Sequence, residues 1–139
     1  MVKKILLIDD SRTSRRLTSI VLSDAGYAIT EAADGVEGLE YILTDPYLAV
    51  VLCDFEMPNM DGLTMLERVS AMAGGRPMPP IVIMSANGDG PCIQKAKAAG
   101  AAAYIVKPFK PHALLTMVKT LAGQSRRGKA ASSCLPTGP

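Results

Sequence analysis

KKILLIDDSR, residues 3–12, carries four bulky apolar side chains straight into two adjacent carboxylates, Asp9 and Asp10. A run of this kind is built for a core, yet it ends in two like charges. At a partly buried site each close pair costs on the order of 4 kcal/mol at about 4 Å. Whatever offsets that repulsion is part of what the chain does.

The same pattern of short apolar runs recurs along the sequence, at YAIT (27–30), AVVLC (49–53), IVIM (81–84) and AYIV (103–106). Stretches with helical periodicity separate them, and strands alternating with helices predict a parallel sheet covered on both faces. The expected fold is α/β, a (βα)5 doubly wound, flavodoxin-like sheet with strand order 2-1-3-4-5. The first helix, about 12–25, is expected to bury Leu17, Ile20, Val21 and Ala25 and to send Arg12, Arg15, Arg16 and Ser19 to water, with Gly26 at its C′ position. Asp34 with Glu37 reads as a capping box, Asp61 as the cap of a third helix, and Pro91 and Pro111 as the starts of two more. Gly100 ends the fourth helix, and Leu114, Leu115, Val118 and Leu121 form the buried stripe of the fifth. Tyr27, Tyr41 and Tyr47 read as packing residues and His112 as surface.

With 139 residues, 48% apolar and 20% charged, the chain is one globular domain. Residues 1–123 form that domain, and 124–139, rich in Gly, Ser, Pro and basic residues, form a flexible tail or linker stub. The longest apolar run is far below the roughly 20 residues that span a membrane, and a cytoplasmic location is expected. Three cysteines without metal-ligand spacing imply neither a disulfide framework nor a zinc site, and Cys53 reads as a small buried strand residue. All 13 acids lie at or before Asp89, and eight Lys or Arg follow it. Without aromatic interleaving or a binding motif, this asymmetry reads as a basic face and tail, not as a nucleic-acid site.

In a 2-1-3-4-5 sheet, ligands bind beyond the strand ends where the winding reverses, between strands 1 and 3. Asp9 and Asp10 end the first of these and Asp54 the second. Three carboxylates in one crevice call for a cation or for protonation, and oxygen-only ligands point to a hard ion, magnesium before calcium. Strand 4 brings the Ser85 hydroxyl to that rim, and strand 5 the Lys107 ammonium. Such a set suits phosphoryl oxygens, with Asp54 as the carboxylate nucleophile that becomes an aspartyl phosphate.

ILLIDDS, VVLCDFEMPNMDG, PPIVIMSA and GAAAYIVKPF, in this order and spacing, resemble the receiver domain of two-component response regulators over about residues 3–122. The resemblance implies that Asp9, Asp10 and Asp54, with the backbone carbonyl of Glu56, hold Mg2+. It further implies that Asp54 takes the phosphoryl group of a sensor histidine kinase or phosphotransfer protein. Ser85 would bind that group and Tyr104 would rotate toward the space Ser85 vacates. Lys107 would pair with the phosphate and precede a cis Pro108. Ala86 would leave room beside the site, with the side chains of Glu56 and Asn87 flanking it. Activation would reshape residues 91–121, where Lys95, Lys97, Tyr104, Lys110 and Lys119 could meet an acidic output partner. The short apolar runs and the lack of a binding motif imply no membrane or direct nucleic-acid partner, and a monomer or weak phosphorylation-dependent dimer is expected. Its length suits a chemotaxis-type, single-domain receiver or a phosphorelay step.

Two other readings fit less well. A haloacid-dehalogenase-type magnesium phosphatase needs D-x-D-x-T, and Ser11 stands where the second acid belongs. A flavin-binding module needs a glycine-bearing phosphate loop, and DDSRTS has none.

Overall fold

Side chains alternate across a strand, so a strand apolar at every position must be covered on both faces. The computed structural model describes residues 2–123. In chain order these form β1 (Lys4–Ile8), α1 (Arg12–Asp24), β2 (Ala28–Ala32), α2 (Gly35–Thr44), β3 (Leu48–Asp54), α3 (Gly62–Ala73), β4 (Ile81–Ser85), α4 (Gly90–Ala98), β5 (Ala103–Val106) and α5 (Pro111–Ala122). The five strands make one parallel sheet in the expected order β2-β1-β3-β4-β5.

Ile5, Leu7, Val50, Leu52, Val82 and Met84 turn to one face, under Leu22 of α1 and Leu114 and Val118 of α5. Leu6, Ile8, Val51, Cys53 and Ile83 turn to the other, under α2, α3 and α4. Cys53 is fully buried there, as its place in the sequence predicts.

Local chemistry sets the helix ends. Asp34, Asp61 and Asp89 cap α2, α3 and α4 by accepting from Glu37 at 2.9 Å, Thr64 at 2.8 Å and Cys92 at 2.9 Å. Gly26 and Gly100 follow α1 and α4 with φ of 99° and 112°, a conformation that glycine adopts at little cost. Lys3 Nζ donates to the carbonyl of Ala122 at 2.7 Å, tying the residue before β1 to the last turn of α5.

The expected face of α1 is corrected. Leu17 and Ile20 are 62% and 49% exposed and Ala25 is exposed, while Thr18 and Leu22 are buried. The helix is turned by one residue from the apolar stripe because its start is anchored by polar contacts. Ser11 Oγ accepts from Ser14 N at 3.2 Å, and Arg15, expected in water, reaches back to the carbonyl of Asp9 and to Glu31. Tyr47, read as packing, is 79% exposed. Leu22→Ala is therefore expected to cost about 2–4 kcal/mol in urea unfolding, whereas Leu17→Ser should stay within about 0.5 kcal/mol. Equal losses would restore the apolar-stripe reading. The tail expected over 124–139 lies outside the described residues.

Candidate functional site

Ile8 pairs with Cys53 across the parallel β1–β3 ladder, so the residues that follow them stand side by side at the carboxyl edge of the sheet. Those residues are Asp9 and Asp54, with Asp10 next. One carboxylate oxygen from each of the three lies within 4.8 Å of the others. Met84 pairs with Asp54 and Ser85 with Val106, which puts Ser85 and Lys107 on the same edge.

Asp9 is fully buried and held on every side. Its Oδ1 accepts from Ser11 N at 2.9 Å, its carbonyl accepts from Arg15 at 2.6 Å, and its N–H donates to Ala32 O at 3.1 Å. Lys107 Nζ lies 2.8 Å from Asp54 Oδ1 and 3.4 Å from Asp9 Oδ2, bridging the two strand ends. The Lys107 N–H donates to Ser85 O at 2.8 Å, and the Lys107–Pro108 bond is cis as expected.

Three carboxylates thus face one ammonium. Burial, and then the charges of Asp9 and Asp10, push the Asp54 carboxyl above the usual carboxylate range against the pull of Lys107. Burial on its own would lower the Lys107 ammonium, but its hydrogen bond and charge pairing with Asp54, and then Asp9, hold it above its ordinary value. Burial thus opposes the charged form of both partners, and the Lys107 pairing offsets it for the lysine but not for Asp54. An all-carboxylate donor set with excess negative charge fits a hard divalent ion.

Other candidates surround this centre. Ser85 is 4% exposed, and its Oγ accepts from Asn87 N at 3.0 Å. Tyr104 packs on the cluster that contains Ile83 and donates its hydroxyl to Asn87 O at 2.6 Å, so the described position ties β5 to the β4–α4 loop. Ala86 and Asn87 are exposed on that loop, and Glu56 is exposed on the β3–α3 loop. Cys53 stands beside the acids, but burial, and then Asp54, Asp9 and Asp61, drive its thiol pKa far up, so it stays protonated and inert.

Arg15 belongs to the site's support, and the sequence reading missed it. Besides its bond to Asp9 O, its Nε donates to Glu31 Oε1 at 2.8 Å. The available signal was electrostatic. An arginine in the first turns of a helix that starts beside clustered acids has a stronger partner there than water.

Comparison with known proteins gives a consistent result. The model of a family described as the response regulator receiver domain matches residues 5–119. The chain is 36% identical over 121 residues to the chemotaxis protein CheY1 of Helicobacter pylori, covering 86% of this chain and 97% of that protein. It is 33% identical to a probable chemotaxis protein CheY of Rhizobium etli, covering 86% and 92%. Among solved structures, chemotaxis protein CheY4 of Vibrio cholerae superposes with a TM-score of 0.79 at 32% identity, over 87% of this chain and 99% of that one. A putative response regulator of Chloroflexus aurantiacus superposes with a TM-score of 0.81 at 31% identity, over 89% and 100%.

Proposed function

The chain belongs to the response regulator receiver domain family, and on that premise we propose that Asp54 is the acceptor of a phosphorylation switch. The observation that carries this reading is the convergence of Asp9, Asp10, Asp54 and Lys107 at one strand edge. An Asp54 carboxylate oxygen attacks the phosphorus of a phosphohistidine on a histidine kinase or phosphotransfer protein. The new O–P bond forms as the P–N bond breaks, and the electron pair stays on the imidazole. Lys107 pairs with the arriving phosphoryl oxygens, and the Ser85 hydroxyl, whose oxygen accepts from Asn87 N, donates its proton to one of them. Asp9, Asp10, Asp54 and the Glu56 carbonyl would hold Mg2+, which when bound neutralises charge on the phosphoryl group.

The phosphorylated site biases a two-state equilibrium of the face formed by α4, β5 and α5, residues 91–121. Tyr104 is the contact that joins site to face through the Asn87 carbonyl. Lys95, Lys97, Lys110 and Lys119 give that face a positive charge suited to an acidic partner. Residues 1–123 act as the receiver and 124–139 as a tail. The protein acts in the cytoplasm as a monomer or a weak phosphorylation-dependent dimer, with no direct nucleic-acid or membrane partner. Among the described residues no helix is long and apolar enough to cross a membrane.

Incubation with Mg2+ and acetyl phosphate, followed by mass spectrometry, tests the reading. A gain of one phosphoryl group mapped to the Asp54 peptide is expected. Steady turnover of phosphate esters would instead indicate a phosphatase, and a bound yellow cofactor a flavin module.

Metal affinity should follow the acid's titration. Because Asp54 titrates high and must be ionised to bind the ion, Mg2+ affinity should fall about tenfold per pH unit once pH drops below its pKa. Calorimetry across pH 4–8 measures this, and a flat profile would remove Asp54 from the ligand set.

A further inference from the structure

We propose that the hydrogen bond between Asn59 and Asp34 is a latch through which α2 positions the loop after Asp54, making Asn59 a positioning residue for cation binding. The proposal rests on the reading of that loop and the three acids as a magnesium site.

The loop, residues 55–61, is fixed at its two ends by backbone. Phe55 N donates to Met84 O and Gly62 N to Phe55 O, both at 2.8 Å. Its far turn is held differently. Asn59 has φ of 69°, the one positive φ of a non-glycine residue among the described residues. That conformation has a steric cost for an L-residue, least for asparagine. Its side chain supplies compensation, since Nδ2 donates to Asp34 Oδ2 at 3.1 Å. The other oxygen of Asp34 accepts from Glu37 N at 2.9 Å, so one carboxylate both caps α2 and holds the loop.

Packing reinforces the connection. A Cβ at Gly35, the first residue of α2, would lie 2.6 Å from the Met60 carbonyl. The loop and the first turn of α2 therefore pack backbone against backbone, with the Asn59–Asp34 bond spanning the same seam. Glu56, the proposed carbonyl ligand, is three residues before Asn59 on this same loop. Releasing the latch loosens that carbonyl, and by linkage a bound ion tightens the first turn of α2.

The test uses the full chain with Mg2+ as the probe. Asn59→Gly keeps the backbone conformation and removes the donor; Asp34→Ser keeps a cap and removes the second acceptor oxygen. Each should weaken Mg2+ binding about three- to tenfold by calorimetry, the worth of one side-chain hydrogen bond. The double variant should bind no more weakly than the weaker single one. In hydrogen exchange, Mg2+ should slow the Glu37 amide in the wild type and not in Asn59→Gly. Unchanged affinity in both single variants, additive losses, or an equal Mg2+ effect on Glu37 in both proteins would overturn the latch. A wild type that binds no Mg2+ would instead overturn the cation reading on which it rests.

Discussion

Asp54→Asn is expected to abolish labelling by acetyl phosphate while raising the urea midpoint of the metal-free protein at neutral pH. The loss follows from removal of the attacking oxygen charge, which an amide does not replace. The gain follows from electrostatics. Burial and two neighbouring acids oppose ionisation of Asp54, and together they outweigh Lys107. A folded-state pKa above the unfolded value means that the folded protein holds the extra proton. The associated stability is therefore present at low pH and lost as pH rises from the ordinary carboxylate range through the raised pKa of Asp54. The neutral isostere escapes that loss. A net gain of about 1 kcal/mol is expected, the low end for a pair of solvent-open carboxylates, because Lys107 gives up its closest partner in the exchange. Mg2+ should reverse the order and stabilise the wild type more than the variant. A lower midpoint for the metal-free variant would show that the Lys107 pairing outweighs the repulsion.

Gly62→Ala should be among the most damaging single-methyl additions. A Cβ there would lie 2.7 Å from the Asp54 carbonyl oxygen and 3.2 Å from Phe55 Cα. Both neighbours are backbone and have no rotamer to yield. Overpacking of this kind costs about 1–3 kcal/mol, and alanine's better helix propensity returns at most about 1 kcal/mol. Net destabilisation in urea is expected, together with slower labelling, since the Gly62 N–H is bonded to Phe55 O and a shift at the start of α3 reaches the residue next to Asp54. A variant as stable as the wild type would mean that the loop relaxes freely. That result would also weaken the case for a rigid mounting of Asp54.

The strands and the acids were legible because they depend on short-range rules. ILLI and AVVLC are apolar at successive positions, which a parallel sheet buried on both faces requires, and once the strand order is set Asp9, Asp10 and Asp54 have one crevice to share. Caps at Asp34, Asp61 and Asp89 follow from the same local chemistry. The face of α1 was not legible, because its rotation is decided by Arg15 reaching Asp9 O and Glu31, contacts across 6 and 16 residues. Apolar periodicity alone chose Leu17 over Thr18, and the guanidinium chose the reverse. Nor could Tyr104 be placed from the sequence, since its hydroxyl partner is a backbone carbonyl 17 residues away, and a carbonyl leaves no mark in residue identity. The Asn59–Asp34 contact was hidden for a related reason. Each residue has a sufficient local explanation, turn and cap, that conceals their meeting.

The bond from Lys3 to Ala122 fixes where the described fold ends. It joins the two ends of the described fold at the side of the sheet where β1 begins, while the acids lie where β1 finishes, about 16 Å away for a five-residue strand. The described fold therefore closes, at Gly123, on the pole opposite the three acids. The contact that joins its first and last elements is thus separate from the edge where Asp9, Asp10 and Asp54 meet.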